Sequence, residues 1–371
     1  MRPAVVLNVV GARPNFMKMA PVLRQLALAP EFTSALVHTG QHYDEAMSGT
    51  FLRELAMPQP DFSLDVGSGS HATQTAAVMQ RFELVCRDVK PDLVVVAGDV
   101  NSTLACALTA VKLEIPVAHI EAGLRSFDRR MPEEINRIVT DSIAQLLFTT
   151  EESGTENLLR EGVAPEQVHF VGNTMIDSLV LCRDALGPLA PGAPYFLATV
   201  HRPANVDAAE PLGRVLDILE AASELAPVLF VTHPRTLARL RHRATRPRLV
   251  VTAAAPAEPE PGHVYLLPPL PYVEFFRLMA QARAVLTDSG GVQEETTFLG
   301  VPCLTLRENT ERPSTVELGT NELVGLDGDR VRARLQAIEC GRWKAASVPP
   351  LWDGHAARRV VDVLRARFQP D

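Results

Sequence analysis

The repeated succession of apolar strand, polar turn and amphipathic helix constrains this chain more than any other feature. Apolar β-rich runs occur at 4–10, 33–39, 92–97, 116–120, 146–149 and 167–171, with helical stretches between them, for example 101–113 after Asn101 and 132–144 after Met131. Buried runs alternating with amphipathic helices predict a parallel, doubly wound sheet, because each crossover helix must cover a face of the strands it joins. The Gly- and Pro-rich segment from Gly187 to Pro194 interrupts the pattern and reads as a linker. A second series follows, with strands expected near 195–200, 227–232, 247–252, 263–267, 283–287 and 302–306. The loop Ala253 to Gly262 reads as a solvated connection, and a last helix is expected from Gly354 to Phe368.

A length of 371 residues is too great for one domain of ordinary size and suits two. The expected division is a Rossmann-like domain over 1–187, a second over 188–353, and a terminal helical segment, 354–371, packing back on the first. A hydrophobic fraction of 46% with 22% charged residues fits a globular chain with real cores. The net charge of −8 argues against a protein that coats nucleic acid, though not against a local basic pocket. No apolar run approaches the roughly 18 residues of a membrane span, and the first residues read as a strand rather than a signal peptide. A cytoplasmic protein with no membrane partner is the expectation. Cys86, Cys106, Cys182, Cys303 and Cys340 form no CxxC pair, which favours reduced structural thiols over disulfides or zinc. No metal site is expected.

Open α/β sheets bind ligands beyond the C-terminal ends of their strands. This chain delivers polar groups there repeatedly: Gly11 to Asn15 with Lys18 one turn on, Gly40-Gln41-His42, Gly98-Asp99, and Glu121 with Arg125. The second half adds His201-Arg202, His233-Pro234-Arg235, Asp288-Ser289-Gly290-Gly291, and Arg307 with Arg312. Each alone is equally well a turn residue or a helix cap. Eight such turns at equivalent places are not explained by capping.

The densest stretch is 117–140, where a strand ending at Ile120 runs into Glu121, Gly123, Arg125, Asp128, Arg129 and Arg130, then a helix opening at Pro132-Glu133-Glu134. Glu121, directly behind a buried strand, reads as a carboxylate tuned by burial and nearby cations. Asp99 reads the same way, although Asp99, Asn101 and Ser102 also make a plausible capping cluster. Glu133 and Arg137 form an i,i+4 pair that suits either a structural or a chemical role. His119, inside the strand, reads as a satisfied core histidine.

Ser289-Gly290-Gly291 before a helix containing Glu295 is a good anion site, since glycines admit a diphosphate to the backbone and the helix N-terminus favours negative charge. Glu295 is placed to accept from ribose hydroxyls. No GxGxxG with a downstream acid and no GxxxxGK[ST] occurs, so dinucleotide and P-loop readings are weak.

Six motifs together carry a resemblance: GARPNFMKMAP (11–21), TGQHYD (39–44), HIEAGLRSFDRRMPEEINR (119–137), VGNTMID (171–177), TDSGGVQEE (287–295) and NTERP (309–313). In this order, across nearly the whole chain, they resemble the non-hydrolysing UDP-N-acetylglucosamine 2-epimerases. The resemblance implies a GT-B fold, with two Rossmann-like domains facing across a cleft, the nucleotide on the second domain and the sugar between the two. It implies interconversion of UDP-GlcNAc and UDP-ManNAc by elimination and re-addition of UDP, without redox or metal cofactor, in a homodimer. By motif, Asp99, Glu121 and Glu133 become acid/base carboxylates around C2, and His201 assists the diphosphate leaving group. Arg13, Lys18, Arg125, His233, Phe275, Ser289, Gly290, Gly291, Glu295 and Arg312 form the substrate-binding set.

The chain departs from many relatives at Asn15, where they carry Glu. Tyr43-Asp44 and the segment Gly67 to His71 look more like members that lack activation by a second UDP-GlcNAc. The alternatives are a 2-epimerase of a related UDP-2-acetamido sugar such as UDP-diacetamido-glucuronate, a hydrolysing epimerase, a GT-B glycosyltransferase, and a sensor that has lost turnover. The three carboxylates and His201 favour the first class of reading over the last two.

Overall fold

The computed structural model describes residues 2–40, 55, 57–186, 195–240 and 246–368. The linker Gly187 to Pro194 and the Gln41-His42-Tyr43-Asp44 turn lie outside the described residues. The chain divides into two compact units, Met1–Asp184 with Pro350–Asp371, and Ala185–Pro349.

Unit 1 runs β1 (Ala4–Val10), α1 (Arg13–Leu26), β2 (Phe32–His38), β3 (Phe62–Ser63), α2 (His71–Val89), β4 (Leu93–Ala97), α3 (Asn101–Lys112), β5 (Val117–Ala122), α4 (Pro132–Ile143), β6 (Leu146–Thr149), α5 (Glu152–Arg160), β7 (Val168–Phe170) and α6 (Thr174–Leu186). Its strands form one seven-stranded sheet in the order β3-β2-β1-β4-β5-β6-β7, every pairing parallel. β4 is buried along its whole length, as an unbroken Leu-Val-Val-Val-Ala run requires when helices cover both faces. The core joins Leu7, Val94 and Val96 of the strands to Phe82, Ala105 and Cys106 of α2 and α3.

Unit 2 runs β8 (Phe196–Thr199), α7 (Pro203–Val206), α8 (Ala209–Ser223), β9 (Val228–Val231), α9 (Pro234–Leu240), β10 (Leu249–Val251), β11 (Val264–Leu267), α10 (Tyr272–Gln281), β12 (Ala284–Thr287), α11 (Gly290–Leu299), β13 (Cys303–Thr305), α12 (Pro313–Glu317), β14 (Asn321–Leu323) and α13 (Gly328–Glu339). A second parallel seven-stranded sheet results, ordered β10-β11-β9-β8-β12-β13-β14. Phe196, Phe230 and Leu286 pack there against Leu216 and Leu219 of α8.

The last helix, α14 (Ala356–Phe368), belongs to unit 1 and packs on α1. Asp177 of α6 caps it, its carboxylate accepting from the amides of Ala356 at 3.1 Å and Ala357 at 2.7 Å. Trp352 anchors the approach, donating its indole N–H to the Thr150 carbonyl at 2.8 Å.

Two features differ from the sequence expectation. The edge strands β3 and β14, of two and three residues, are too short to show periodicity. β5 does not stop at Ile120 but continues to Ala122, with its register against β6 shifting between Ile120 and Ala122. The shift is a bulge, and it arises because Glu121 sits at φ +70°, outside the strand region.

The buried face of α14 supplies a test. Leu364 is fully buried, so Leu364→Ala should lower the stability of unit 1 by about 3 kcal/mol. In a Trp343→Phe background, Trp352 is the remaining tryptophan and reports unfolding of unit 1 by fluorescence.

Candidate active site

In unit 1 the strand order reverses between β1 and β4, which is where an open parallel sheet leaves a crevice at its C-terminal edge. After β1 the backbone turns into α1 with Ala12 at the N-cap, a residue with no side chain to cap with. Asn15, three residues on, reaches back to that turn. Its Oδ1 accepts from the amides of Gly11 at 3.1 Å and Ala12 at 3.0 Å, and its Nδ2 donates to the Ala97 carbonyl at the end of β4 at 2.7 Å. Asn15 is buried and staples both sides of the crevice.

One turn further along α1, Lys18 is buried with its Nζ 2.6 Å from Oε2 of Glu121, itself buried. A Cβ added at Gly98 would come within 2.8 Å of that Nζ, and Gly98 has φ +66°, so glycine is favoured where β4 ends beside the lysine. Glu121 is held in left-handed backbone, which costs a non-glycine residue on the order of 1–3 kcal/mol and persists only where surrounding structure enforces it. Burying a charged pair is costly as well. Both costs fall at one residue at the mouth of the sheet.

Asp99 follows Gly98 and is partly exposed. The N-cap of α3 is Val100, which makes no side-chain cap bond. The Asp99 carboxylate pairs with the guanidinium of Arg137, while its carbonyl accepts from Asn136 Nδ2 at 2.8 Å. The expected Glu133–Arg137 pair is replaced: among the described residues Arg137 reaches Glu134, three residues before it, at 2.6 Å, together with Asp99. Arg137 is almost wholly buried on the inward face of α4, which also carries Glu134. Glu134 also accepts from the amides of Ser126 and Phe127, both at 2.9 Å. Glu133 stays partly exposed on the rim.

Burial pushes Glu134 up, but the Ser126 amide and the Arg137 guanidinium outweigh it and hold the carboxyl below its ordinary value. Asp141 follows the same logic, with burial opposed and overcome by His119 and Arg125. Arg125 does not join the cluster around Glu121. Its guanidinium is committed to Asp141 at 2.7 Å, Glu161 at 2.7 Å and the Leu124 carbonyl at 2.8 Å. The core-histidine reading of His119 agrees with the geometry: both ring nitrogens are engaged, by Asp141 at 2.6 Å and the Gly98 carbonyl at 2.8 Å. The side chain of Arg13 lies outside the described set.

Unit 2 repeats the arrangement at its own reversal, between β8 and β12. Asp288, fully buried after β12, accepts from the amides of His201 at 3.0 Å and Arg202 at 2.9 Å and from Asn205 Nδ2 at 3.0 Å. It thereby ties the end of β8 to the end of β12. His201 is partly exposed, with its ring centroid 5.9 Å from that of the exposed His233.

Ser289 is the N-cap of α11 and makes no side-chain cap bond. Gly290 is required next to it, because a Cβ there would strike the Arg312 guanidinium and lie 2.8 Å from the Glu311 carboxylate. Gly291 follows in the first turn, and Glu295 one turn on accepts from the Tyr272 hydroxyl at 3.0 Å. Phe275 lies buried on α10 beside Tyr272.

Sequence reasoning passed over the groups that fix Arg312. Glu311, buried, pairs with Arg312 at 2.5 Å, Arg307 at 2.8 Å and Arg202 at 3.4 Å, and Glu294 pairs with Arg312 at 3.0 Å. The available signal was the acid adjoining Arg312 in NTERP. Among the described residues no group of three or more His, Cys, Asp or Glu is placed to hold a metal ion. No helix among them is long and apolar enough to cross a membrane.

Two doubly wound parallel sheets, each with polar side chains gathered at its reversal point, define a GT-B-class α/β enzyme. The chain belongs to the UDP-N-acetylglucosamine 2-epimerase family, whose profile matches residues 24–365. It is 38% identical over 378 aligned positions to a UDP-N-acetylglucosamine 2-epimerase of Methanococcus maripaludis, covering 98% of each chain. It is 41% identical to the UDP-2,3-diacetamido-2,3-dideoxy-D-glucuronate 2-epimerase of Pseudomonas aeruginosa, over 88% of this chain and 90% of that one. The crystal structure of Methanocaldococcus jannaschii UDP-GlcNAc 2-epimerase in complex with UDP-GlcNAc and UDP superposes with a TM-score of 0.84 at 38% identity, covering 97% of this chain and 99% of that one.

The adjacent glutamates should separate cleanly. Glu134→Gln leaves Arg137 short of a buried partner and should cost unit 1 about 3–5 kcal/mol, whereas Glu133→Gln on the rim should change stability by under about 0.5 kcal/mol. Because Glu134 and Asp141 are both depressed in the folded state, their contribution is full above the unfolded carboxylate values and is lost as pH falls through the folded ones. Urea midpoints measured between pH 7 and pH 3 should therefore fall toward acid, and the fall should be shallower in Glu134→Gln.

Proposed function

We propose that this chain interconverts UDP-GlcNAc and UDP-ManNAc. The observation that carries the reading is the buried Lys18–Glu121 pair, with Glu121 held in left-handed backbone at the sheet's reversal point. Asp99 and Glu133 accompany it as partly exposed carboxylates.

The C2 proton beside an acetamido group is too weakly acidic for simple deprotonation and return. Elimination avoids this difficulty. A base takes the C2 proton as the C1–O bond to UDP breaks, which gives a 2-acetamidoglucal and free UDP. UDP oxygen then adds back to C1 while an acid delivers a proton to the other face of C2. Asp99, Glu121 and Glu133 are assigned these proton transfers.

On unit 2, His201 assists departure of the diphosphate, with His233 and Arg312 as further cationic partners. Ser289, Gly290 and Gly291 at the start of α11 suit diphosphate, the Ser289 amide itself donating to the Thr287 hydroxyl at 3.0 Å, and Glu295 suits the ribose. The scheme uses no metal or redox cofactor. The Pseudomonas relative marks a second sugar, a diacetamido-glucuronate, as the competing substrate. We assign the active species as a homodimer, which light scattering on the purified protein tests directly.

Proton NMR with UDP-GlcNAc in D2O, without added metal or NAD, tests the reading. UDP-ManNAc carrying deuterium at C2, with little free UDP, is the expected result. Free ManNAc accumulating with UDP would indicate a hydrolysing enzyme, and an unchanged spectrum would redirect the assay to the diacetamido sugar. Glu121→Gln should abolish exchange at C2 while leaving UDP binding nearly intact. Full activity in that variant removes Glu121 from the mechanism.

A further inference from the structure

His119 lies two residues before Glu121 on β5, wholly buried, and is not among the groups assigned to the reaction. Its surroundings determine its protons. Nδ1 lies 2.6 Å from Oδ1 of Asp141, and Nε2 lies 2.8 Å from the carbonyl oxygen of Gly98. A carbonyl oxygen has no hydrogen to give, so a bond there requires hydrogen on Nε2.

On the other side Asp141 pairs with Arg125 and is held below its ordinary carboxyl value, as a carboxylate with no hydrogen to give. Its Oδ2 already accepts from Arg125 Nη1 at 2.7 Å and from the Gly123 amide at 3.1 Å, as an ionised carboxylate does. Nδ1 must donate as well. A neutral ring in either tautomer would set a lone pair against an acceptor in a site without water access, a costly arrangement.

The charges around the ring balance such a cation. Asp141 faces it from α4, Arg125 and Glu161 form the next pair, and Lys18 with Glu121 lies beyond Gly98 as a neutral pair. The Gly98 carbonyl that the ring grips is the atom group immediately before Asp99. Asp99 itself is held at its carbonyl by Asn136 and at its carboxylate by Arg137. The turn carrying Asp99 thus has three fixed points, and His119 supplies the innermost.

We propose that His119 is a buried imidazolium, protonated on both ring nitrogens and paired with Asp141, that serves as a positioning residue for Asp99 in the epimerisation. The proposal rests on the assignment of Asp99 to proton transfer at C2. His119 touches no substrate. It locks the Gly98 carbonyl and so sets where the Asp99 carboxylate stands relative to the sugar.

Long-range ¹H–¹⁵N NMR of the imidazole groups at neutral pH, comparing the intact chain with His119→Gln, assigns the His119 signals and reads their state. Both nitrogens in the protonated range are expected, and a neutral tautomer overturns the proposal. This readout needs no activity, so it stands even if the epimerase assignment fails. For function, His119→Gln keeps a donor for the Gly98 carbonyl but loses the charge and the second bond.

Its kcat for C2 exchange should fall by about 10²-fold, the scale of an ångström misplacement, while KM and UDP affinity stay within about threefold. His119→Ala, which loses both bonds, should fall further, so that Gln partly rescues it. A wild-type kcat in folded His119→Gln, or an equal loss in kcat and UDP affinity, overturns the positioning role.

Discussion

Where a parallel sheet reverses its strand order, neighbouring strands send their chains away in opposite directions, and the amides and carbonyls at their ends lose ladder partners. The rest of this structure depends on how those groups are satisfied. In unit 1, Asn15 joins the amides of Gly11 and Ala12 to the Ala97 carbonyl. In unit 2, Asp288 joins the amides of His201 and Arg202 to the strand it follows. A side chain closes each reversal from within, so the crevice keeps its shape and the neighbouring residues are left for ligands.

Around the first reversal the chain buries charge densely. Lys18–Glu121, Arg137 with Asp99 and Glu134, and Arg125 with Asp141 and Glu161 occupy one end of one sheet. Such pairs contribute little net stability once desolvation is counted, yet removing one partner is strongly destabilising. They are better understood as rigid placement. Each fixes a backbone turn or a carboxylate that a solvated side chain would leave loose, and the left-handed Glu121 shows that the fold bears strain at the same spot.

The second reversal is built differently. Arg202, Arg307 and Arg312 all reach the buried Glu311, which keeps three guanidinium groups close together despite their repulsion. Close to them α11 begins with a serine whose side chain caps nothing, and with glycine where any larger residue would strike Arg312. Fixed cations beside one helix start favour an anion. The two units thus divide their chemistry, with carboxylates prominent in the first and cationic, amide-rich groups in the second.

Periodicity and turn chemistry alone determined the two parallel α/β units, because a buried parallel strand writes an unbroken apolar run and a crossover helix writes its own repeat. The turns that carry Asp99, Glu121, His201 and Ser289 were legible for the same reason, since polar residues directly behind buried strands stand out. What only the tertiary structure decided is which acid meets which base. The partner of Arg137 proved to be Glu134 rather than Glu133, Arg125 proved to be committed to Asp141 and Glu161, and Asn15 proved to be a backbone staple. The left-handed turn at Glu121, and the paired acceptors around His119, were equally invisible in the sequence. Sequence spacing orders side chains along one element, but burial and distance between elements select their partners, and those are set only when the strands lie side by side.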